Sequence, residues 1–146
     1  MARGIYPPLL ETEGLPAALT AHARRADLAV TVLDRGSRRY PREAEATAYF
    51  CALEALQNAV RHAHALYAHI ELDDNHSTLT VTVTDDGAGF EPETTAYGSG
   101  LTHMVDRADS AGGTLTVTSR SGHGTTIRLA IPVTADEALA GTRRAS

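Results

Sequence analysis

The chain has 146 residues, a formal net charge of −5, 42 % apolar residues and 21 % charged residues, which is typical of a single soluble globular domain with a buried core. The acidic balance makes non-specific nucleic-acid binding a poor expectation, and Cys51, the only cysteine, excludes an intrachain disulfide. Because we recognise no signal-peptide pattern and no apolar run near the roughly 20 residues of a membrane span, we expect a cytoplasmic location, with membrane anchoring of a longer parent left open.

The first third of the sequence predicts a helix, a strand and a long second helix. The opening "MARGIYPPLL" is short and apolar with a Pro-Pro break, so we interpret residues 1–13 as the end of a preceding segment. Leucines at helical spacing predict a helix over 14–26, and "LAVTVL" predicts a strand over 28–33. The strongest helical pattern in the chain covers 44–65.

Two hairpins enclose a further helix in the rest of the chain. Strands at 69–73 and 78–85 flank a polar turn, and strands at 114–119 and 125–133 flank the turn "RSGHG". Between the hairpins, residues 100–111 predict a helix that ends at a pair of glycines. We therefore predict an α/β fold: a two-layer sandwich in which helices pack on one face of a mixed, mainly antiparallel sheet. The predicted organisation is a preceding segment over 1–13, a compact domain over 14–134 and a flexible tail over 135–146.

The long helix carries a polar patch beside its apolar stripe. Glu54, Asn58 and Arg61 fall within roughly 60° of one another around the helix. Amide and carboxylate oxygens suit Mg²⁺, and an arginine one turn on can hold a phosphate oxygen. A solvated helix face is the alternative interpretation, which the spacing does not exclude. The apolar stripe, which we expect to face the core, comprises Tyr49, Leu53, Leu56 and Val60.

Three glycine turns follow the long helix. "DDGAG" (85–89) ends a strand, "GSGL" (98–101) opens a helix, and "GHGTT" (122–126) joins two strands. Glycines at a helix N-terminus are what anion binding by free N–H groups needs. Each turn alone could equally be a tight structural turn.

The order of these motifs resembles the four nucleotide-binding boxes of the GHKL ATPase superfamily (the Bergerat fold), over Ala44 to Val133. That superfamily includes DNA gyrase, heat-shock chaperones, mismatch-repair proteins and histidine kinases. The wording "EALQNAVRHA", "DDGAGF", "GSGLTHM" and "GHGTTIRLAIP" is most similar to sensor histidine kinases of the nitrate-sensor class. In that class, residues 1–13 would be the remnant of, or linker from, a helical dimerisation domain.

The resemblance implies ATP and Mg²⁺ as ligands and assigns the adenine side of the site. Asp85 would accept the adenine amino group, which is chemically sound because an ionised carboxylate only accepts and the amine donates. Gly87 would let the adenine ring approach the backbone, and Gly89 would begin a short nucleotide lid over 90–97. Thr125 would support the adenine contact directly or through water. We expect the lid to become ordered when nucleotide binds.

The resemblance also assigns the phosphate side of the site. Asn58 would hold Mg²⁺, Arg61 and His62 would reach the phosphates, and Glu54 would be catalytic, orienting a metal-bound or attacking group. The residues that would close on the phosphates are Gly98, Ser99, Gly100 and Leu101. Asp86 stands where an asparagine is frequent in the family, a departure that leaves the adenine assignment intact.

The implied function is that of the ATP-binding catalytic domain of a two-component sensor histidine kinase. Such a domain delivers the γ-phosphoryl group to a histidine on a dimerisation domain, and the phosphoryl group then passes to a response regulator. None of the seven histidines is followed by an acidic residue on a helix, so we find no acceptor in this chain. We therefore expect a monomer that binds ATP, does not autophosphorylate and does not bind nucleic acid.

Two alternatives stay open on the same fold. A free-standing serine protein kinase that inhibits a sigma factor would have a similar length, although the opening "RGIYPPLL" argues against it. A non-catalytic interaction module that no longer binds ATP would be expected to have replaced residues in the four nucleotide-binding boxes. In this sequence the motif residues of these boxes are all present.

Overall fold

The computed structural model describes residues 7–36, 38–61, 64–88 and 99–133, and these residues form four helices and five strands. The strands form one sheet in the order β1-β2-β3-β5-β4. None of the described helices is long and apolar enough to cross a membrane. The helices are α1 (Pro8–Glu13), α2 (Leu15–Ala23), α3 (Arg42–Arg61) and α4 (Ser99–Ser110), and the strands are β1 (Ala29–Arg35), β2 (Tyr67–Asp74), β3 (Thr78–Asp85), β4 (Thr114–Ser119) and β5 (Thr125–Pro132).

The sheet is mixed and mainly antiparallel, as the sequence predicted. β2 pairs with β3, and β4 pairs with β5, both antiparallel, which confirms the two hairpins. β3 and β5 join the hairpins through a further antiparallel pairing. β1 runs parallel to β2, and α3 provides the long crossover that a parallel pair requires.

The described helices cover one face of the sheet, and the side chains of the other face are half-buried or exposed. Along β5, buried side chains alternate with half-buried or exposed ones, and β3 follows the same alternation over most of its length. α3 packs across β2, β3 and β5, while α2 packs on β1 and α4 on β4. The apolar side chains between these layers form the core, and most threonines of β3 and β4 lie on the opposite face of the sheet. The prediction of a two-layer α/β sandwich is confirmed.

The buried face of α3 differs from the stripe expected from the sequence. Tyr49 and Leu56 are buried, but Leu53 and Val60 are only half-buried at its margin. Small side chains occupy the centre because they let the helix approach the sheet closely. The most deeply buried alanines are Ala48, Ala52, Ala55 and Ala59.

Residues 7–13, the described part of the segment before residue 14, pack against the rest of the fold. Leu10 of α1 is completely buried in the core. Arg39 donates from Nη2 to the carbonyl oxygens of Leu10 and Glu11 at 3.3 and 3.1 Å, and from Nε to the buried Glu45 carboxylate at 2.8 Å. A single guanidinium thus links α1 to the first turn of α3. The interpretation of 1–13 as a linker from another domain stays a prediction.

Candidate functional site

The candidate site begins as a row of polar residues at one end of the sheet. Asp85 ends β3, and its register partner on β5 is Thr125, whose own partner on β4 is Ser119. All three lie on the strand positions that alternate in phase with the core, so they belong to the helix-covered face. The sequence predicted Asp85 and Thr125 as site residues and missed Ser119. The register of the second hairpin, which pairs the residues six apart on either side of the glycine turn, was the signal for it.

Backbone N–H groups fix the Asp85 carboxylate. Gly87 donates to Asp85 Oδ1 at 2.8 Å across the turn, and the N–H of Thr125 also donates to this carboxylate. Burial raises the pKa of the Asp85 carboxyl above its usual value, the two N–H groups partly offset this, and the charge of Asp86 raises the pKa further. An ionised carboxylate has about four acceptor positions, so two bonded N–H groups leave capacity for a donor from a ligand.

Gly124 lets β5 approach Asp85 closely. Its φ is +78°, a left-handed value that disfavours other residues, and a Cβ placed there would collide with the carbonyl oxygen of Asp85. The motif "GHGTT" indicates a glycine turn at this position, but the sequence alone does not show its contact with Asp85. The close approach at Gly124 brings the N–H of the next residue, Thr125, within hydrogen-bond distance of the Asp85 carboxylate.

The hydroxyl group of Thr125 is engaged within the sheet. Its Oγ1 lies 2.8 Å from Ser119 Oγ, and Ser119 Oγ donates to the carbonyl of Gly124 at 3.2 Å. Thr125 is only 7 % exposed. The threonine therefore holds Asp85 through its backbone and is held by Ser119 through its side chain, so a contact of Thr125 with a ligand stays a prediction.

The predicted phosphate side begins on the second half of α3. Glu54 and Asn58 are half-buried and Arg61 is exposed. This face of α3 adjoins α4, since Cys51 Sγ lies 3.8 Å from the carbonyl of Met104. Burial raises the pKa of the Cys51 thiol to about 11, the charge of Arg107 lowers it, and the charge of Glu54 raises it. The patch is thus partly covered rather than fully solvated.

A second contact between α3 and α4 lies beside the first. The Arg107 guanidinium stacks 4.6 Å from the centre of the Phe50 ring. The α3 residues of both contacts precede Glu54 in the chain, and their α4 partners follow Leu101. The predicted phosphate residues of the two helices therefore lie on the same side of these contacts.

The remaining predicted residues lie at or beyond the start of α4. Ser99 and Gly100 form its first turn, and Leu101 is 8 % exposed and belongs to the core cluster. The first backbone N–H groups of a helix have no partner within the helix, which leaves donors for an anion at this position. His62, Gly89, Gly98 and the lid over 90–97 lie outside the described residues.

The oxygen donors of α3 fit a hard cation of the Mg²⁺ type. The described residues contain no group of three or more acidic, histidine or cysteine side chains that could hold a metal ion by themselves. Mg²⁺ bound with nucleotide needs only one or two protein oxygens, since phosphates and water complete its coordination. The amide of Asn58, one turn from the carboxylate of Glu54, provides that kind of donor.

Known proteins with similar sequences include several histidine kinases. The chain is 34 % identical to the signal transduction histidine-protein kinase/phosphatase DegS of Brevibacillus brevis, over 68 % of this chain and 26 % of that protein. It is 42 % identical to the sensor histidine kinase YxjM of Bacillus subtilis, over 64 % of this chain and 23 % of that protein. Against the oxygen sensor histidine kinase NreB of Staphylococcus carnosus it is 28 % identical, over 89 % of this chain and 40 % of that protein. The chain thus spans between about a quarter and two fifths of these relatives.

Solved structures share the fold. The ATP-binding domain of PrrB from Mycobacterium tuberculosis matches with a TM-score of 0.63 at 21 % identity, over 81 % of this chain and 90 % of that chain. The blue-light activated histidine kinase of Erythrobacter litoralis matches with a TM-score of 0.68 at 25 % identity, over 81 % of this chain and 41 % of that chain. The model of the family described as "Histidine kinase-, DNA gyrase B-, and HSP90-like ATPase" matches residues 43–135, which confirms the resemblance in the motifs. This chain therefore belongs to the histidine kinase-, DNA gyrase B- and HSP90-like ATPase family.

Proposed function

We propose that this chain is the ATP-binding catalytic domain of a two-component sensor histidine kinase. The observation that carries the proposal is the Asp85 carboxylate, held at the end of β3 by the N–H groups of Gly87 and Thr125 with acceptor capacity to spare. The exocyclic amine of adenine is the matching donor. The names of the relatives favour a histidine kinase over the other ATPases of the family.

The phosphate side would be formed by α3 and the start of α4. Asn58 would hold Mg²⁺, which would neutralise charge on the phosphates, and Arg61 would bind a phosphate oxygen. Glu54 would orient the attacking histidine or a metal-bound water. The first N–H groups of α4, at Ser99 and Gly100, would donate to the phosphates. Residues His62, Gly89 and Gly98 keep the roles that the resemblance implies.

A catalytic domain of this kind works together with other protein domains. We propose a dimerisation domain that carries the phosphorylated histidine and a response regulator that receives the phosphoryl group. The γ-phosphoryl group would leave ATP only when the acceptor nitrogen is held in line with the bond that breaks. In this arrangement the present chain would bind the nucleotide, and the other domain would supply the acceptor histidine.

The experiment that tests the proposal is a calorimetric titration with ATP and Mg²⁺ of the parent chain and of Asp85→Asn. The amide nitrogen introduced by the substitution cannot accept a hydrogen bond, and an amide oxygen is a weaker acceptor than a carboxylate. We expect the parent to bind and the variant to lose affinity by about tenfold or more, as the loss of one charge-assisted hydrogen bond would give.

The control is Asp73→Asn, the same chemical change at an exposed position near the other end of the sheet. It should bind ATP as the parent does. If the parent and Asp85→Asn bound ATP equally well, adenine recognition by Asp85 would be excluded. If the parent did not bind ATP, the interaction-module interpretation would replace this proposal.

A further inference from the structure

Asp86, the residue after Asp85, links the turn at the end of β3 to the neighbouring strand β2 by hydrogen bonds. Its Oδ1 accepts the backbone N–H groups of Leu66 and Tyr67 at 2.9 and 3.0 Å. Its own N–H donates to the carbonyl of Tyr67 at 3.2 Å. Three hydrogen bonds thus join one residue of the turn to the start of β2.

The same turn is confined on its other side by β5. The Cα of Gly124 packs against the peptide that joins Asp85 to Asp86, so closely that a side chain there would collide with the Asp85 carbonyl. The Asp85 backbone therefore lies between its register partners, Thr125 on β5 and Ala68 on β2, and the bonds of Asp86 add a further link to β2 just beyond that pairing. The Asp86 side chain points to the start of β2 and is exposed, which leaves the Asp85 carboxylate as the group that faces the helical layer.

We propose that Asp86 is a positioning residue for adenine recognition, acting through Asp85. This inference rests on the proposed function. Discrimination by a hydrogen bond requires that the acceptor stay within hydrogen-bond distance and angle of its donor. The bonds of Asp86 to Leu66 and Tyr67 keep the Asp85 turn from moving away from β2.

The other end of the same hairpin offers a matched arrangement with no link to the site. Asn75 Oδ1 accepts the N–H groups of Ser77 and Thr78 at 3.0 and 2.8 Å, so it also ties down two backbone donors with one oxygen. The β2–β3 register places this turn at the opposite end of the strand pair from Asp85. Removal of the Asn75 side chain would therefore destabilise the β2–β3 hairpin without changing a contact of Asp85.

The test measures affinity for ATP and for inosine triphosphate, whose base carries a carbonyl oxygen in place of the amine. The variants are Asp86→Ala, Asp86→Asn and Asn75→Ala, titrated in the full 146-residue chain with Mg²⁺. We expect the parent to prefer ATP and Asp86→Ala to lose about tenfold in ATP affinity with little change for inosine triphosphate. Asp86→Asn should keep the preference, because its amide oxygen still accepts both N–H groups.

Asn75→Ala should also keep the preference, even if its melting temperature falls. Should Asp86→Ala fail to fold, Asp86→Ser replaces it, since the shorter side chain does not reach both donors. An unchanged preference in the Ala or Ser variant would overturn the inference, as would an equal loss in Asn75→Ala. Loss of the preference in Asp86→Asn would show that charge, not positioning, matters. A parent that binds neither nucleotide, or both equally, would instead contradict the proposed function.

Discussion

At the scale of single residues, the proposed role of Asp85 in adenine recognition would come with a free-energy cost to the unliganded protein. Burial raises the pKa of its carboxyl, so folding favours the protonated form, and the ionised form at neutral pH lies in a less favourable environment than in the unfolded chain. The contribution of this group to the free energy of unfolding is therefore largest at low pH. It is lost as the pH rises through the pKa of the folded state.

The substitution Asp85→Asn should accordingly stabilise the nucleotide-free chain at pH 7 while it weakens ATP binding. The amide is neutral at every pH, and its oxygen can still accept the N–H of Gly87. We expect the gain in free energy of unfolding, measured by urea denaturation, to disappear well below the ordinary carboxyl pKa of 3.8. Asp73→Asn, at an exposed position, provides the baseline. A variant less stable than the parent at every pH would show that the hydrogen bonds of the carboxylate outweigh its burial.

At the scale of elements, the sequence predicted each strand and long helix but not the face on which α3 packs. Alternation with threonine defined the hairpins, because one sheet face is buried and the other is wet. The predicted stripe of α3 rests on the largest apolar side chains, whereas close contact with a sheet selects the smallest. The alanines of α3 carry little weight in such a pattern, since alanine is common on exposed helix faces too.

Leu53 and Leu56 separate the two interpretations of α3. Leu56 is 2 % exposed, while Leu53 is half-buried at the margin of the core. Truncation of a fully buried leucine costs about 2–5 kcal/mol, because it removes buried area and leaves a cavity. We expect Leu56→Ala to reach that range in urea denaturation and Leu53→Ala to cost about half as much. Equal losses would restore the stripe expected from the sequence.

The sequence predicted the residues of the candidate site that belong to a motif. It did not predict the residues whose contacts depend on the packing of distant segments. The glycine turns "DDGAG" and "GHGTT" predict Asp85, Gly87 and Thr125 as site residues. The structure places Asp85 and Gly87 in one turn and pairs Asp85 with Thr125 across β3 and β5. Ser119 could have been found from the register of the predicted second hairpin, which pairs it with Thr125. The bonds of Asp86 to Leu66 and Tyr67 depend on contacts between its side chain and the start of β2, which no local pattern specifies. The link from Arg39 to the buried Glu45 depends on the docking of α1 and was likewise not foreseen.

At the scale of the whole molecule, the fold separates recognition of the base from handling of the phosphates. The sheet end at Asp85 would hold adenine, and α3 with the start of α4 would hold the triphosphate and Mg²⁺. The residues assigned to adenine and to the phosphates thus come from different layers of the sandwich. Bound nucleotide would bridge the two layers, with its γ-phosphate on the helical side, where a docking acceptor would have to approach.

This arrangement predicts phosphoryl transfer to a histidine supplied on a separate chain. We would incubate this chain with γ-labelled ATP, Mg²⁺ and a set of histidine-bearing dimerisation domains from histidine kinases of the family. Label should appear on an acceptor as acid-labile phosphohistidine. At ATP concentrations below the dissociation constant of Asp85→Asn, that variant should transfer less label by about tenfold or more, because it binds the nucleotide more weakly. Acid-stable label on serine would identify the serine-kinase alternative. ATP binding without transfer to any acceptor in the set would contradict the assignment of this chain as a histidine kinase domain.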